Sequence, residues 1–597
     1  MCGILGIYSK GIIDKKLFSK SLNSLKYRGP DETKKINKTN FAIGFNRLSI
    51  IGVNNNHSVQ PIENKDYILT FNGEIYNYKD LAKKLNLNKS ESKSDTFVLT
   101  KLIDKYGEID FIKYVEGMFV ISIYSKKNNK IYIYRDRIGE RNIFFYADKV
   151  NFIFASEIRP LLKLKLFKKK INLNSIHEYF YHGMIFEDGQ TIYQDIYQLN
   201  PGQFLIFDCN TFKTEKFFYY QIENERYNKK AIKKNIKNLL DEALGSRLIS
   251  DVKIGILLSS GLDSSYMLSR LTKKFINKSE IFTASNKDKT KDESNQAKKT
   301  IKFINNIYPN KKLNHIIINN RKKLTITDQL ISLSRNYDQP IHLSMSPLLN
   351  NICKFVKNKN YKVLYGGEGM DEIAYGYKRF FKTFEIINSV ESSKIKTDHI
   401  YFGSGFKNIT LINKIIERKI NYRSLSSYKF IQKCLKKHPI YKTQMLFSIK
   451  YKLQTLLYRN DRIGMLNSIE MRCPFLKPKL MSAFLSLKKS SLFNMNLKKG
   501  KLILRNLSKN QIPKNLIEDK DKKGFVSDFE NELNTKKFYL KIYKLVNLKN
   551  SFTNNYLSLK EVNKVIEKHY SKSEDFSYLI WRIFALEIWY KNFYKTY

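Results

Sequence analysis

Residues 253–271 read KIGILLSSGLDSSYMLSRL, and the way this stretch folds decides the architecture of the larger part of the chain. Ile254 to Leu258 form an uninterrupted apolar run of the length of a buried strand, Ser259 to Leu262 a turn of small residues, and Asp263 the start of a helix. Backbone N–H groups in such a turn, together with the positive end of the following helix, make a cradle for phosphate. Ser259, Ser264 and Ser265 add hydroxyls, and Asp263 is placed to hold a magnesium ion that bridges phosphate oxygens. A second apolar run, YKVLYG at 361–366, has the same character, and long helical segments separate the two from about residue 230 onward. Wholly apolar strands alternating with helices predict a doubly wound parallel sheet covered on both faces, followed by a mostly helical C-terminal part.

The first 160 residues have a different texture. Short alternating strands are predicted at FAIGFNRLSII (41–51), YILTFNGEIYN (67–77), GMFVISIYSK (117–126), KIYIYRDRIG (130–139) and NFIFASE (151–157), with helical patterns at DLAKKLNL (80–87) and SDTFVLTKLIDKYG (94–107). This reads as a layered domain rich in antiparallel sheet, ending near NPGQ at 200–203 and the polar stretch 223–230. Two domains, 1–210 and 228–597, are expected, since 597 residues exceed what a single core supports.

The bulk composition narrows the function. No run of 18 apolar residues and no signal-peptide layout is present, so a cytoplasmic location is expected, with no membrane partner. Five cysteines without C-x-x-C spacing argue against a disulfide framework or a zinc site. The formal charge of +52 comes mostly from lysine spread along the chain, without a long lysine run or a nucleic-acid recognition motif; compositional bias accounts for it, and no specific nucleic-acid partner is expected. The N-terminus adds one further chemical group. Removal of Met1 would leave Cys2 with both a thiol and a free α-amino group, a nucleophile with its own base.

The turn at 259–265 resembles the S-G-G-x-D-S loop of ATP pyrophosphatases, and VLYGGEGMDEIAYGY (363–377) looks like the G-E-G-x-D-E signature of the same group. MCGI at the start, RGPDE (28–32), NRLSI (46–50), FNGEIYN (71–77), KSD (93–95), EGMF (116–119), RDRIGE (135–140) and FASEI (154–158) follow in order. After them come DRIGMLNSIEMRCPFL (461–476), GKLILR (500–505) and KKGF (522–525). Over nearly its whole length the chain resembles the glutamine-hydrolysing asparagine synthetase family. The resemblance implies an N-terminal Ntn-hydrolase αββα sandwich serving as a class II glutamine amidotransferase, joined to an ATP pyrophosphatase domain. It also implies glutamine, ATP and aspartate as substrates, Mg2+ as cofactor and, as an admissible assembly, a homodimer.

The family assigns each motif a task. Cys2 attacks the amide of glutamine, and the Asn72 side chain with the Gly73 N–H holds the oxyanion, donors worth roughly 3 kcal/mol each. Arg47 suits the α-carboxylate of glutamine and Glu74 and Asp95 its α-ammonium, with Leu48, Ser49, Ile50 and Ile51 completing the glutamine site. ATP is expected over Leu258, Ser259, Ser260, Gly261, Asp263, Ser264 and Ser265, with Ala284, Gly366 and Gly367 near adenine and ribose. Asp263 and Asp371 are the magnesium ligands, Glu368 takes a proton from attacking ammonia, and Lys522 with Lys501 neutralises the departing pyrophosphate. An apolar passage between Cys2 and Glu368 would keep ammonia unprotonated.

The chain departs from the family pattern around the second site. Ser260 stands for a glycine, where a left-handed backbone would cost of order 1 kcal/mol. Gly366 replaces a frequent serine, Met370 a serine or glycine, Ala374 a phenylalanine, Tyr375 a glycine, Gln339 a glutamate and Lys477 an aspartate. These changes leave two rivals to aspartate amidation: the same chemistry on another carboxylate, and a degenerate scaffold.

Overall fold

The computed structural model describes residues 2–597 other than 186–187, 226–228, 287–291, 320–324, 342, 389–392, 403–407 and 520–528. The N-terminal unit holds two six-stranded antiparallel sheets. In the first, Gly3–Ser9 lies between Asn151–Ala155 and Phe41–Arg47. In the second, Gly117–Ser125 lies between Tyr67–Ile75 and Lys130–Arg135. Alternate side chains on a strand point to opposite faces, and here both faces are covered. From Gly3–Ser9, Ile4 and Tyr8 enter the layer between the sheets beside Phe45, Ile68, Val120 and Phe154. Leu5 and Ile7 point the other way, toward helices Lys15–Asn23 and Ile158–Lys163. Helices Tyr78–Lys84 and Asp95–Asp110 cover the outer face of the second sheet through Leu81, Val98, Leu99 and Leu102. Each such fully buried aliphatic side chain contributes about 1.5–3 kcal/mol. The result is the four-layer αββα arrangement the sequence led us to expect. Its second sheet ends with Lys213–Phe218, past the boundary placed at 210.

The C-terminal unit is built on a five-stranded parallel sheet in the order Lys312–Asn319, Lys278–Ser285, Ile254–Leu257, Val363–Tyr365, Glu470–Arg472. In chain order this is 3-2-1-4-5, so the winding reverses between Ile254–Leu257 and Val363–Tyr365. In open parallel sheets ligands bind beyond the C-terminal ends of the strands at that reversal. The two motif segments, 258–263 and 366–371, leave the sheet at that place. The strand stops at Leu257 and the helix Leu262–Lys274 starts one residue earlier than read from sequence. Among the described residues, no helix is long and apolar enough to cross a membrane.

Buried ion pairs join the two units. Arg28 bonds Glu157 at 2.8 Å within its own unit and Asp461 of the other at 3.0 Å, and Arg247 reaches Glu140 at 2.6 Å. Asp338 accepts from the Ile158 N–H at 2.8 Å and Gln339 from the Ile192 N–H at 3.1 Å, so these two residues pack against the first unit.

Candidate active sites

Cys2 sits at the head of strand Gly3–Ser9, buried at the wall of a small pocket also lined by Arg47, Leu48, Ile50, Ile51, Gly73, Glu74 and Asp95. Asn72, on the neighbouring sheet and fully buried, accepts the Cys2 N–H through Oδ1 at 2.8 Å. That bond fixes the amide plane and leaves Asn72 Nδ2 as a buried donor with no partner among the described residues. An unsatisfied buried donor costs about 1–3 kcal/mol, a cost an incoming oxyanion would remove. Gly73 has φ 149°, and a Cβ there would lie 2.0 Å from the Met118 carbonyl oxygen, so only glycine lets the strand pass at this point. Burial pushes the Cys2 thiol above its ordinary value. The expectation of a mature terminus at Cys2 turns on Met1, which lies outside the described residues.

The charged groups of this pocket are not equivalent. Arg47 Nη2 donates to the carbonyls of Ile51 at 3.3 Å and Gly52 at 2.8 Å and so shapes the loop that follows it. Glu74 lies 3.5 Å from Arg472 Nη2, a residue of the other unit, and burial followed by the neighbouring Glu470 holds its carboxyl well above the usual range. Asp95 opens its helix behind the N-cap Ser94 and accepts from neutral donors, among them the Ile75 N–H at 3.3 Å and Thr96 Oγ1 at 3.4 Å. Burial outweighs these bonds and pushes Asp95 up to about 7. Ser49, expected in this site, is not part of the wall; its N–H donates to Asp31 at 2.7 Å and its carbonyl accepts from Lys362 at 3.3 Å, turning it to the domain interface. Ser58, Gln60, Phe71 and Thr96 line the pocket without having been read from sequence. Gln60 is fastened there by its amide, which bonds the Phe71 N–H at 2.5 Å and carbonyl at 3.1 Å.

The second site is a cleft of about 570 Å3 at the winding reversal, with Ser259, Ser260, Gly261, Asp263, Ser264, Gly367, Glu368 and Asp371 in its wall. Lys501 stands between the two aspartates, its ammonium 2.5 Å from Asp263 Oδ2 and 2.6 Å from Asp371 Oδ1. Asp263 Oδ1 is buried and without a hydrogen-bond partner among the described residues. Two converging carboxylates with an oxygen to spare fit a hard cation whose other ligands would be phosphate oxygens and water. Glu368 lies 3.6 Å from Arg459 Nη2 and 3.8 Å from the Cys473 thiol. Lys299, Lys498 and Arg505 add positive charge to the wall. Arg459 lies two residues before the D-R-I-G motif, a signal that could have pointed to it.

Four expected ATP residues do not line this cleft. Leu258 is in the core, Ser265 is buried within its helix, Ala284 closes off the neighbouring strand, and Gly366 lies just behind Glu368. Lys522 lies outside the described residues. Ser260 is not among the residues of positive φ, so the strain expected there does not arise, and its hydroxyl donates to Glu293 at 3.1 Å. Met370, Ala374, Tyr375 and Lys477 are likewise absent from the wall. Lys477 instead pairs with Glu242 at 2.6 Å and with Glu116 of the first unit at 3.5 Å.

Residues 235–591 match the family described as asparagine synthase, and residues 1–218 that described as glutamine amidotransferase domain. The chain belongs to the asparagine synthase family. It is 34% identical over 310 residues to a putative asparagine synthetase [glutamine-hydrolyzing] 2 of Methanocaldococcus jannaschii, a match spanning 48% of this chain and 59% of that relative. Asparagine synthetase [glutamine-hydrolyzing] 1 of Bacillus subtilis is 25% identical over 100% of this chain and 98% of its own, and the Mus musculus enzyme 27% identical over 67% and 71%. A solved glutamine phosphoribosylpyrophosphate amidotransferase from B. subtilis aligns over 43% of this chain and 60% of its own at 17% identity and a TM-score of 0.28, too low for inference.

For an asparagine synthase the connection between the sites matters most, and one short segment touches both. Arg472 reaches Glu74 in the first pocket, and the next residue, Cys473, reaches Glu368 in the second. Glu74, Glu470 and Arg472 are all buried, so this segment carries charged side chains between the two pockets.

Proposed function

We propose that the chain makes asparagine from aspartate, taking nitrogen from glutamine and energy from ATP, and releases glutamate, AMP and pyrophosphate. The observation that carries this reading is the adjacency just described: one pair of consecutive residues contacts a carboxylate in each pocket. In the first pocket the Cys2 sulfur adds to the side-chain carbonyl carbon of glutamine, with the proton taken up by the Cys2 α-amine and passed to the leaving nitrogen. Asn72 Nδ2 and the Gly73 N–H receive the oxyanion, a role supported by the unpartnered Nδ2. Ammonia departs, and water releases glutamate from the thioester. Asp95 and Arg47 orient the two ends of the substrate.

In the cleft the aspartate side-chain carboxylate attacks the α-phosphorus of ATP and pyrophosphate leaves. Lys501 is positioned to neutralise the charge that builds on the departing group. Asp263 and Asp371 would hold Mg2+, which supplies charge neutralisation at the phosphate oxygens when bound. Ammonia then attacks the acyl carbon, Glu368 accepts its proton, and AMP is expelled. Aspartate is favoured over another acid because the sequence departures at Met370, Ala374, Tyr375 and Lys477 fall outside the cleft wall.

Incubation with glutamine, magnesium ATP and aspartate should yield glutamate, pyrophosphate and asparagine together. Pyrophosphate release restored only by a different acid would replace the acceptor, and silence in every channel would favour a scaffold. Cys2→Ala should lower glutamine-dependent synthesis by about a thousandfold or more while synthesis from added ammonium persists; loss of both would break the division of labour.

A further inference from the structure

We propose that Cys473 is a positioning residue for Glu368, its thiol donating to the carboxylate that receives the proton of ammonia. The inference rests on the reading of Glu368 given above. Cys473 follows strand Glu470–Arg472, is 2% exposed, and its Sγ lies 3.8 Å from Glu368 Oε2. Asn460 Nδ2 donates to the same sulfur at 3.8 Å. With one direction at sulfur taken by an N–H donor, the thiol hydrogen is left to point at the carboxylate. Burial, and then Glu368 and Glu140, push this thiol far above its ordinary value, so it remains S–H, a donor, throughout the working range.

The backbone opposite has been cleared for this contact. A Cβ at Gly366 would lie 2.4 Å from Glu368 Oε2, so a side chain there would displace the oxygen that faces Cys473. Gly366 stands where a serine is frequent, and Cys473 thus supplies a donor at the carboxylate from the opposite side. The remaining groups about Glu368 are accounted for. Arg459 of helix Leu453–Leu466 faces the other oxygen at 3.6 Å. Cys353 of helix Ser346–Asn358 is a buried neutral thiol nearby, and Arg247 with Glu140 lies behind Cys473 as an ion pair. Thus Arg459 fixes one oxygen by charge and Cys473 fixes the other by direction, which sets the carboxylate plane toward the reacting nitrogen.

The test separates two steps. Adenylation of the acceptor, read as pyrophosphate–ATP exchange in the absence of a nitrogen source, does not need Glu368 to accept a proton, whereas amide formation from ammonium does. Cys473→Val puts an apolar side chain about one methyl group larger in place of the thiol and removes the donor; it should lower ammonium-dependent asparagine formation about tenfold while exchange and the KM for ATP stay as in the unaltered protein. Cys473→Ser restores a donor and should recover most of the lost rate. A Val variant with an unchanged ratio of amide formation to exchange would overturn the proposal. So would parallel loss of both activities, or a Ser variant no better than Val, since either describes a merely structural residue. An unaltered protein that makes no amide from ammonium would instead remove the reading of Glu368, and this inference with it.

Discussion

The two pockets of this chain handle charge in opposite ways. Next to Cys2 the groups are neutral: Asn72 and Gly73 are locked into adjacent sheet positions, and Asn72 Nδ2 is a buried donor with no partner among the described residues, suited to a charge that develops only during reaction. In the cleft the wall is charged: Lys501 pairs with Asp263 and Asp371 and Arg459 faces Glu368, while Lys498 pairs with Glu385 and Arg505 donates to the carbonyls of Gly500 and Ile517. Rigid neutral preorganisation serves the first chemistry and compensated charge the second. The sharpest way to break this contrast is Asn72→Ala. It should cut glutamine-dependent turnover by about a hundredfold to a thousandfold with little change in glutamine KM, and leave ammonium-dependent synthesis within about twofold. A drop in KM-dependent terms alone would mean that Asn72 binds substrate and does not stabilise the oxyanion.

Asp95 is where the first pocket borrows the logic of the second, a charge that must be created before it can act. Its carboxyl titrates near 7 because burial outweighs the bonds from Ile75 and Thr96. The raised value means the protonated form dominates below about 7, and a neutral carboxyl cannot hold the α-ammonium of glutamine. Binding should therefore weaken as pH falls: in Cys2→Ala protein, where no turnover intervenes, glutamine Kd measured by calorimetry should be flat above about pH 7 and rise about tenfold for each unit below it. Asp95→Asn should give a weak, pH-independent Kd. A wild-type profile already flat across this range would assign the ammonium to Glu74 instead, despite its pairing with Arg472.

Legibility followed the same division. The phosphate loop could be read because a buried strand, a small-residue turn and a helix start occupy consecutive positions, and all the physics of the cradle is local. Around Cys2, Arg47, Asn72, Gly73 and Asp95 were legible only through the resemblance of their motifs, with Arg47 ending a strand, Asp95 opening a helix, and Asn72 and Gly73 inside the strand Tyr67–Ile75. Ser58, Gln60 and Thr96 were not, since they enter the pocket by bonds across the fold, as Gln60 does to Phe71. Ser49 was misassigned because a loop residue next to true wall residues turned its backbone to Asp31 and Lys362, one of them in the other unit. Lys501 was read as a pyrophosphate partner, but nothing in the sequence indicated that it would stand between the two aspartates expected to share a metal ion. The departures Lys477 and Gln339 looked like changes of acceptor and are contacts between the units.

The smallest expected effect concerns the two places near the cleft where this chain carries a side chain in place of a glycine. Tyr375 does adopt a left-handed backbone, φ 59°, and keeps it because its ring stacks on Phe493 at 3.9 Å between centroids and its hydroxyl donates to Gln444 at 2.6 Å. Ser260 adopts no such conformation, so the two replacements are physically unlike although they look alike in sequence. Restoring glycine at Ser260 relieves no strain; it adds backbone freedom to the unfolded chain and removes the bond to Glu293. Ser260→Gly should therefore lower stability by about 1 kcal/mol, read from the midpoint of denaturant unfolding at unchanged slope, with ATP–pyrophosphate exchange within about twofold of the unaltered protein. A stabilised variant would show that the loop is held in a strained form when the cleft is closed, and would make the phosphate cradle, like Asn72, a site that stores cost until its ligand arrives.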